Sequence, residues 1–130
     1  MAYRRFKELF GFNVPPSAKI VQYENEPSTG YCAFNVVFHE KDYDDFSSRI
    51  QNYIIRQYSS IEDAEKCKES DDSYFRNIPV GKKSWYNATN MTFVEGYMID
   101  MPGHLGAKGG TLRIAIVREE EALFHAMIEY

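Results

Sequence analysis

Apolar and polar residues alternate along five segments of this chain. Such alternation predicts β-strands that have one buried face and one solvated face. The five segments are residues 18–24, 31–38, 91–100, 111–118 and 122–130. Parallel strands that are covered on both faces read as continuous apolar runs, so the alternation favours an antiparallel sheet. In the third segment it places four side chains on the buried face, those of Met91, Phe93, Tyr97 and Ile99.

Apolar residues recur at helical spacing in two other segments, residues 2–10 and 42–58. The longer one opens with Asp42 as a candidate cap, and Asp44 and Asp45 lie in its first turn, where the helix dipole favours acids. The shorter one is followed by Gly11, a residue type that commonly ends helices.

The middle of the chain carries weaker signals. Residues 60–68 predict a short helix in which Ser60 caps the first turn. Residues 69–84 lack regular periodicity and read as an irregular connection.

Together these elements predict an α+β fold with the order α-β-β-α-β-β-β. We expect a five-stranded antiparallel sheet, the helix at 42–58 packed across one face, and the N-terminal helix at an edge. The chain has 130 residues, close to the commonest size of one domain, so residues 1–130 are expected to form a single globular domain.

The stretch MPGHLGAKGG at residues 101–110 contains four glycines between two predicted strands. A phosphate-binding loop needs a helix to begin where the loop ends, so that the helix amides point at the anion. Here a strand pattern begins at Thr111. A hairpin loop is therefore the better interpretation, and His104, Leu105 and Lys108 within it are candidate contacts for a partner.

The last strand has a second face with apolar character. Phe124 and Ala126 point inward by the alternation, so the ring of His125 should point outward together with Leu123 and Met127. This face, with Arg113 on the neighbouring strand, is either a docking surface or is covered by a helix, by the 60–84 connection or by a second protomer.

Charge narrows the choice of partners. Nineteen acidic residues against fifteen Lys and Arg give a net charge of −4, which disfavours binding to nucleic-acid backbones. The acids occur in four clumps: Asp42, Asp44 and Asp45; Glu62, Asp63 and Glu65; Glu69, Asp71 and Asp72; and Glu119, Glu120 and Glu121. A basic protein is the partner that such surfaces favour.

The sequence lacks the spacing of known catalytic and metal motifs. His39, Glu40 and Asp42 lie close together but lead directly into a helix, so we expect no metal site and no cofactor. No serine or cysteine lies in a nucleophile motif, and an enzyme is not expected. No apolar run is long enough for a membrane span. The two cysteines form no disulfide framework, which favours the cytoplasm unless a leader was removed.

The leading hypothesis is a non-catalytic protein-binding domain, most concretely an acidic immunity-type inhibitor that occludes a basic toxin or nuclease. Its candidate contact residues are His104, Leu105, Lys108, Asp44, Asp45, Glu119, Glu120 and Glu121. The alternative is a small ligand-binding or hydrolytic domain with a tyrosine-lined pocket between helix and sheet and His39 or His125 at its mouth. A homo-oligomer that pairs through the C-terminal strand is a third hypothesis.

Overall fold

The computed structural model describes residues 1–58, 60–75, 90–101 and 110–130. Its helices are α1 (Ala2–Phe10), α2 (Tyr43–Gln57) and α3 (Ile61–Glu65), and a 3₁₀ turn (Glu40–Asp42) precedes α2. Its strands are β1 (Lys19–Glu26), β2 (Tyr31–His39), β3 (Lys68–Glu69), β4 (Thr92–Met101), β5 (Gly110–Glu120) and β6 (Leu123–Glu129). The α+β class with an antiparallel sheet and one main helix is confirmed.

The sheet has six strands in the order β1-β2-β6-β5-β4-β3, and every neighbouring pair is antiparallel. The predicted count of five was wrong because β3 has two residues, too few to show an alternation. Lys68 and Glu69 pair with Tyr97 and Gly96 of β4. Strand β6 pairs with β2 and β5, so neither of its edges is open for the pairing with a second copy of the chain that the third hypothesis requires.

The register of β4 changes within the strand. Phe93 pairs with Val117 of β5, whereas Glu95 pairs with the adjacent Ile116, which indicates a β-bulge at Val94. The extra residue moves Met91 and Phe93 to the face opposite Tyr97 and Ile99. The prediction that these four side chains share one face was therefore wrong, because strict alternation does not reveal a bulge.

One face of the sheet, which we call the inner face, packs against α1 and α2. Phe6 of α1 and Phe46 of α2 are fully buried there against Phe34 and Phe38 of β2. Helix α1 also reaches the edge strand, because the Tyr3 hydroxyl accepts a hydrogen bond from the amide of Ile20 at 3.0 Å. Burial of these apolar surfaces stabilises the fold by about 25 cal/mol per Å² removed from water.

The helix starts differ in how they are capped. Ser60 accepts a hydrogen bond from the amide of Asp63 at 3.1 Å, as predicted, although α3 is shorter than residues 60–68. Asp42 is the N-cap residue of α2, but its side chain does not cap the helix. Its carboxylate accepts instead from the amide of Ser17 at 3.0 Å, and hydrogen bonding to Ser17 lowers the pKa of Asp42.

The opposite, outer face of the sheet is covered in part by the connection that follows β3. Met127 and Ala115 are fully buried, and Phe75 packs against Ala115. His125 points to this face, as predicted. The prediction of a docking surface that exposes Met127 is therefore wrong. The alternative, that the 60–84 connection covers this face, is confirmed for the part of the face under Phe75.

Gly96 of β4 is the point of closest approach for Phe75. A Cβ placed on Gly96 would lie 2.7 Å from Cε2 of Phe75 and 2.9 Å from Cζ of Phe93. We therefore expect Gly96→Ala to lower the free energy of unfolding by about 1–3 kcal/mol, since the buried rings must move. Urea denaturation measures this loss. Gly110→Ala is the matched control, because no atom lies within 4 Å of its added Cβ, and equal losses in the two variants would contradict the packing argument.

Candidate functional site

Two acidic segments meet at one end of the sheet. The amide of Glu40, at the start of the 3₁₀ turn, donates to the carbonyl of Ala122 in the β5–β6 turn at 2.9 Å. Nearby, the ring of Tyr43 packs on the ring of Phe124, and the two ring centroids are 5.0 Å apart. The acids of residues 40–45 and 119–121 are therefore neighbours in space, although about 75 positions separate them in the sequence. We call residues 40–45 and 118–121, which include these acids, the acidic end.

The acidic end holds more negative charge than the whole chain. Residues 40–45 and 118–121 contain seven acidic and two basic residues, a net charge of −5. The chain as a whole carries −4, so the remaining residues sum to +1. Among the described residues the ion pairs of these acids join Asp45 to Arg49, whose Nε lies 3.0 Å from the carboxylate, and Glu119 to His125. The negative net charge of the chain is thus concentrated at this end.

The acids of this end differ in their surroundings. Glu119 lies at an irregularity in the β5–β6 register, and its carboxylate is 2.7 Å from Nε2 of His125. The other ring nitrogen, Nδ1, is 2.9 Å from Oδ1 of Asn35, a buried residue of β2. Glu119 is therefore held in a side-chain network that fixes the end of β5. Glu119 is nevertheless exposed, as are Asp44, Asp45, Glu120 and Glu121.

A shallow depression of about 330 Å³ lies beside the β5–β6 turn. It is lined by Thr92, Arg118, Glu119, Glu120 and Glu121. Three carboxylates against one guanidinium make it a place where a lysine or arginine side chain of another protein is favoured.

The predicted contacts of the glycine-rich stretch are not part of the acidic end as it is described. His104, Leu105 and Lys108 are outside the described residues. The strands on either side of them pair at Met101 and Gly110, at the opposite end of β5 from Glu120, and Thr111 is in a strand, as predicted. The structure therefore brings the predicted Asp and Glu contacts together. It separates them from Met101 and Gly110, the residues that flank the glycine-rich stretch.

A second polar cluster lies between α2 and the inner face, and the sequence pattern missed it. The carboxylate of Glu95 is buried, with 8% of the residue exposed, and accepts a hydrogen bond from the Ser47 hydroxyl at 2.6 Å. Burial and the charge of Glu95 raise the pKa of Tyr43 to about 12 and also raise the pKa of Tyr97. Glu95 shares the inner face with Tyr97, two positions away, as plain alternation requires, so the one available signal was an acid among the apolar residues of that face.

A cavity of about 310 Å³ lies next to this cluster, between α2, α3 and the sheet. Gln51 and Tyr97 belong to both the cluster and the cavity wall. Neither His39 nor His125 lines it. His39 lies at the start of the 3₁₀ turn, where its Nδ1 accepts from the amide of Lys41. Among the described residues the wall of this cavity contains one tyrosine and no histidine, so it differs from the tyrosine-lined pocket of the alternative hypothesis, which stays a prediction.

The described residues contain no group of three or more His, Cys, Asp or Glu side chains arranged to hold a metal ion. Within the same residues, no helix combines the length and the apolar character that a bilayer crossing requires.

The chain was compared with models of known protein families, with curated proteins and with solved structures. None of the three comparisons finds a match.

Proposed function

We propose that this chain is a non-catalytic protein-binding domain whose acidic end docks on a basic protein. The most concrete form of this function is an immunity-type inhibitor that occludes the cationic site of a toxin or nuclease. One observation carries the proposal: the hydrogen bond between Glu40 and Ala122 joins two acidic segments that are distant in sequence into one surface.

The physical basis is electrostatic complementarity. Clustered charge of one sign accelerates encounter with a partner of opposite sign and opposes the approach of like-charged surfaces. Glu120 and Glu121 are exposed beside the depression, so they meet a basic side chain without first losing an internal ion pair among the described residues. The buried interior of the fold supplies a rigid support for these charges.

The double variant Glu120→Gln, Glu121→Gln tests the proposal. We expect it to bind the basic partner with an association rate about tenfold lower than that of the original chain, because two rim charges are removed. The partner is obtained by affinity capture from the native host, purified and identified. Association rates are then measured by surface plasmon resonance at increasing salt, and the difference between the two chains should shrink as salt screens the charges.

The matched control is Glu26→Gln, Glu62→Gln, which changes the net charge equally at exposed positions away from the acidic end. We expect this control to bind at nearly the original rate. Equal effects of the two double variants would show that net charge alone matters, and the acidic end would not be the interface. Capture of no basic protein would also contradict the proposal.

A further inference from the structure

The cavity between α2, α3 and the sheet is the feature of the interior that the acidic end does not explain. Its volume of about 310 Å³ lies at the lower end of the range typical of small-molecule sites, about 300–1,000 Å³. Half of its lining is aliphatic, and the other half is polar or charged. The aliphatic half is Ile54, Ile55, Ile61 and Ala64, and the polar half is Gln51, Glu65, Lys68 and Tyr97.

The aliphatic wall includes a large side chain that the protein itself leaves uncovered. Ile61 is 62% exposed, whereas Ile54 and Ala64 beside it are buried. An apolar molecule in the cavity would remove surface of Ile61 from water, and this removal is favourable. The ligand should therefore have an apolar body.

The polar wall is rich in hydrogen-bond acceptors. The amide nitrogen of Gln51 donates to the Ser47 hydroxyl oxygen at 3.1 Å, and Ser47 donates in turn to Glu95. The side chain of Tyr97 lies next to Gln51 in the cavity wall, and the charge of Glu95 contributes to its raised pKa. Gln51 is itself an exposed side chain, so another donor can replace its amide at these oxygens without disturbing the buried part of the cluster.

The charges around the cavity favour a cation. Glu65 and Lys68 at the mouth have opposite signs and cancel in net charge. The Glu95 carboxylate lies close to Tyr97. Among the described residues, Glu95 is in none of the ion pairs. A buried carboxylate that is held by neutral donors gains from a nearby positive charge.

We infer that this cavity binds a small primary amine with an aliphatic or aromatic body. The ammonium group takes the place of the Gln51 amide and donates to the oxygens of Ser47 and Tyr97, close to the charge of Glu95. The apolar body lies along the isoleucine wall and covers Ile61. The inference does not depend on the proposed protein partner, because the acidic end contributes no residue to this cavity.

Three probes of similar size and different charge test the inference: 2-phenylethylamine, 2-phenylethanol and phenylacetate. Calorimetric titration of the full chain should show saturable binding of the amine and at least tenfold weaker binding of the alcohol, about the effect of one charged hydrogen bond. Phenylacetate should not bind. Equal binding of amine and alcohol would overturn the role of charge, and selective binding of phenylacetate would assign the site to Lys68 and an anion.

Variants locate the site and separate binding from folding. Glu95→Gln should weaken amine binding about tenfold or more, and Ile61→Ala should weaken it at an exposed position with little effect on the melting temperature. Lys68→Met should strengthen it about threefold by removing a like charge, a direction that damage to the fold would not produce.

The controls are Glu62→Gln, which lies on α3 outside the cavity wall, and Glu120→Gln, Glu121→Gln at the acidic end. Both should bind the amine as the original chain does. Absence of binding by all three probes, or unchanged affinity in folded Glu95→Gln together with unchanged affinity in Lys68→Met, would overturn the inference. The variant Glu120→Gln, Glu121→Gln is tested both with the basic protein and with the amine. Failure of the proposed protein interface is therefore distinguishable from failure of the amine site.

Discussion

Replacing Phe46 by alanine lowers the free energy of unfolding by about 3–5 kcal/mol, the usual cost of removing a buried phenylalanine. Phe46 is fully buried in the first turn of α2, and its ring centroid lies 4.9 Å from that of Phe38 on β2. It also contacts Phe6 of α1 and Phe12. The substitution therefore opens a cavity where both long helices meet the sheet, and urea denaturation measures the loss.

The control for this prediction is Val21→Ala on the edge strand β1, where 52% of the side chain is already exposed. We expect a change of about 0.5 kcal/mol or less. A loss in Phe46→Ala no larger than that in the control would show that α2 does not pack on the sheet through this ring.

Replacing Arg113 by methionine also costs about 3–5 kcal/mol, because it removes the cation from a buried ion pair. The guanidinium of Arg113 donates through Nε to the Glu129 carboxylate at 2.8 Å and through Nη2 to the same oxygen. It donates further to the carbonyl of Tyr74 at 2.6 Å, which connects β5 to the segment after β3. The side chains of Arg113 and Glu129 are only 15% and 9% exposed.

The double variant Arg113→Met, Glu129→Met separates the charge effect from the loss of packing. Removing both charges avoids an uncompensated carboxylate, so the double variant should be more stable than Arg113→Met alone. Thermal and urea denaturation of the single and double variants supply the comparison. A double variant that loses the sum of the two single effects would mean that the pair contributes no coupling.

Local pattern was sufficient for the elements whose side chains follow one period throughout. Helix α1 has the predicted bounds, and α2 differs from residues 42–58 by one residue at each end. A helix or strand that buries one face must repeat its apolar residues at the period of that element. The repeat can therefore be recognised within one short segment of the sequence. The hairpin of β1 and β2 and the antiparallel pairing of β4, β5 and β6 were predictable for the same reason.

The candidate sites were predictable only as residue types. The clumps at Asp44 and Asp45 and at Glu119 to Glu121 are visible in the sequence, but their meeting depends on how β6 returns beside β2. The pairing of β2 with β6 is a contact between residues about 90 positions apart, and no local period encodes it. The cluster around Glu95 was missed because it needs α2 and β4 together.

The sequence by itself determined the class of fold, the positions of the long elements and the excess of acids, since each of these depends on composition or on neighbours along the chain. Only the tertiary structure decided which face Phe93 takes, where the register between β4 and β5 changes, and that Phe75 closes over Gly96. These features arise from contacts between distant segments, and such contacts form only when the strands are laid side by side.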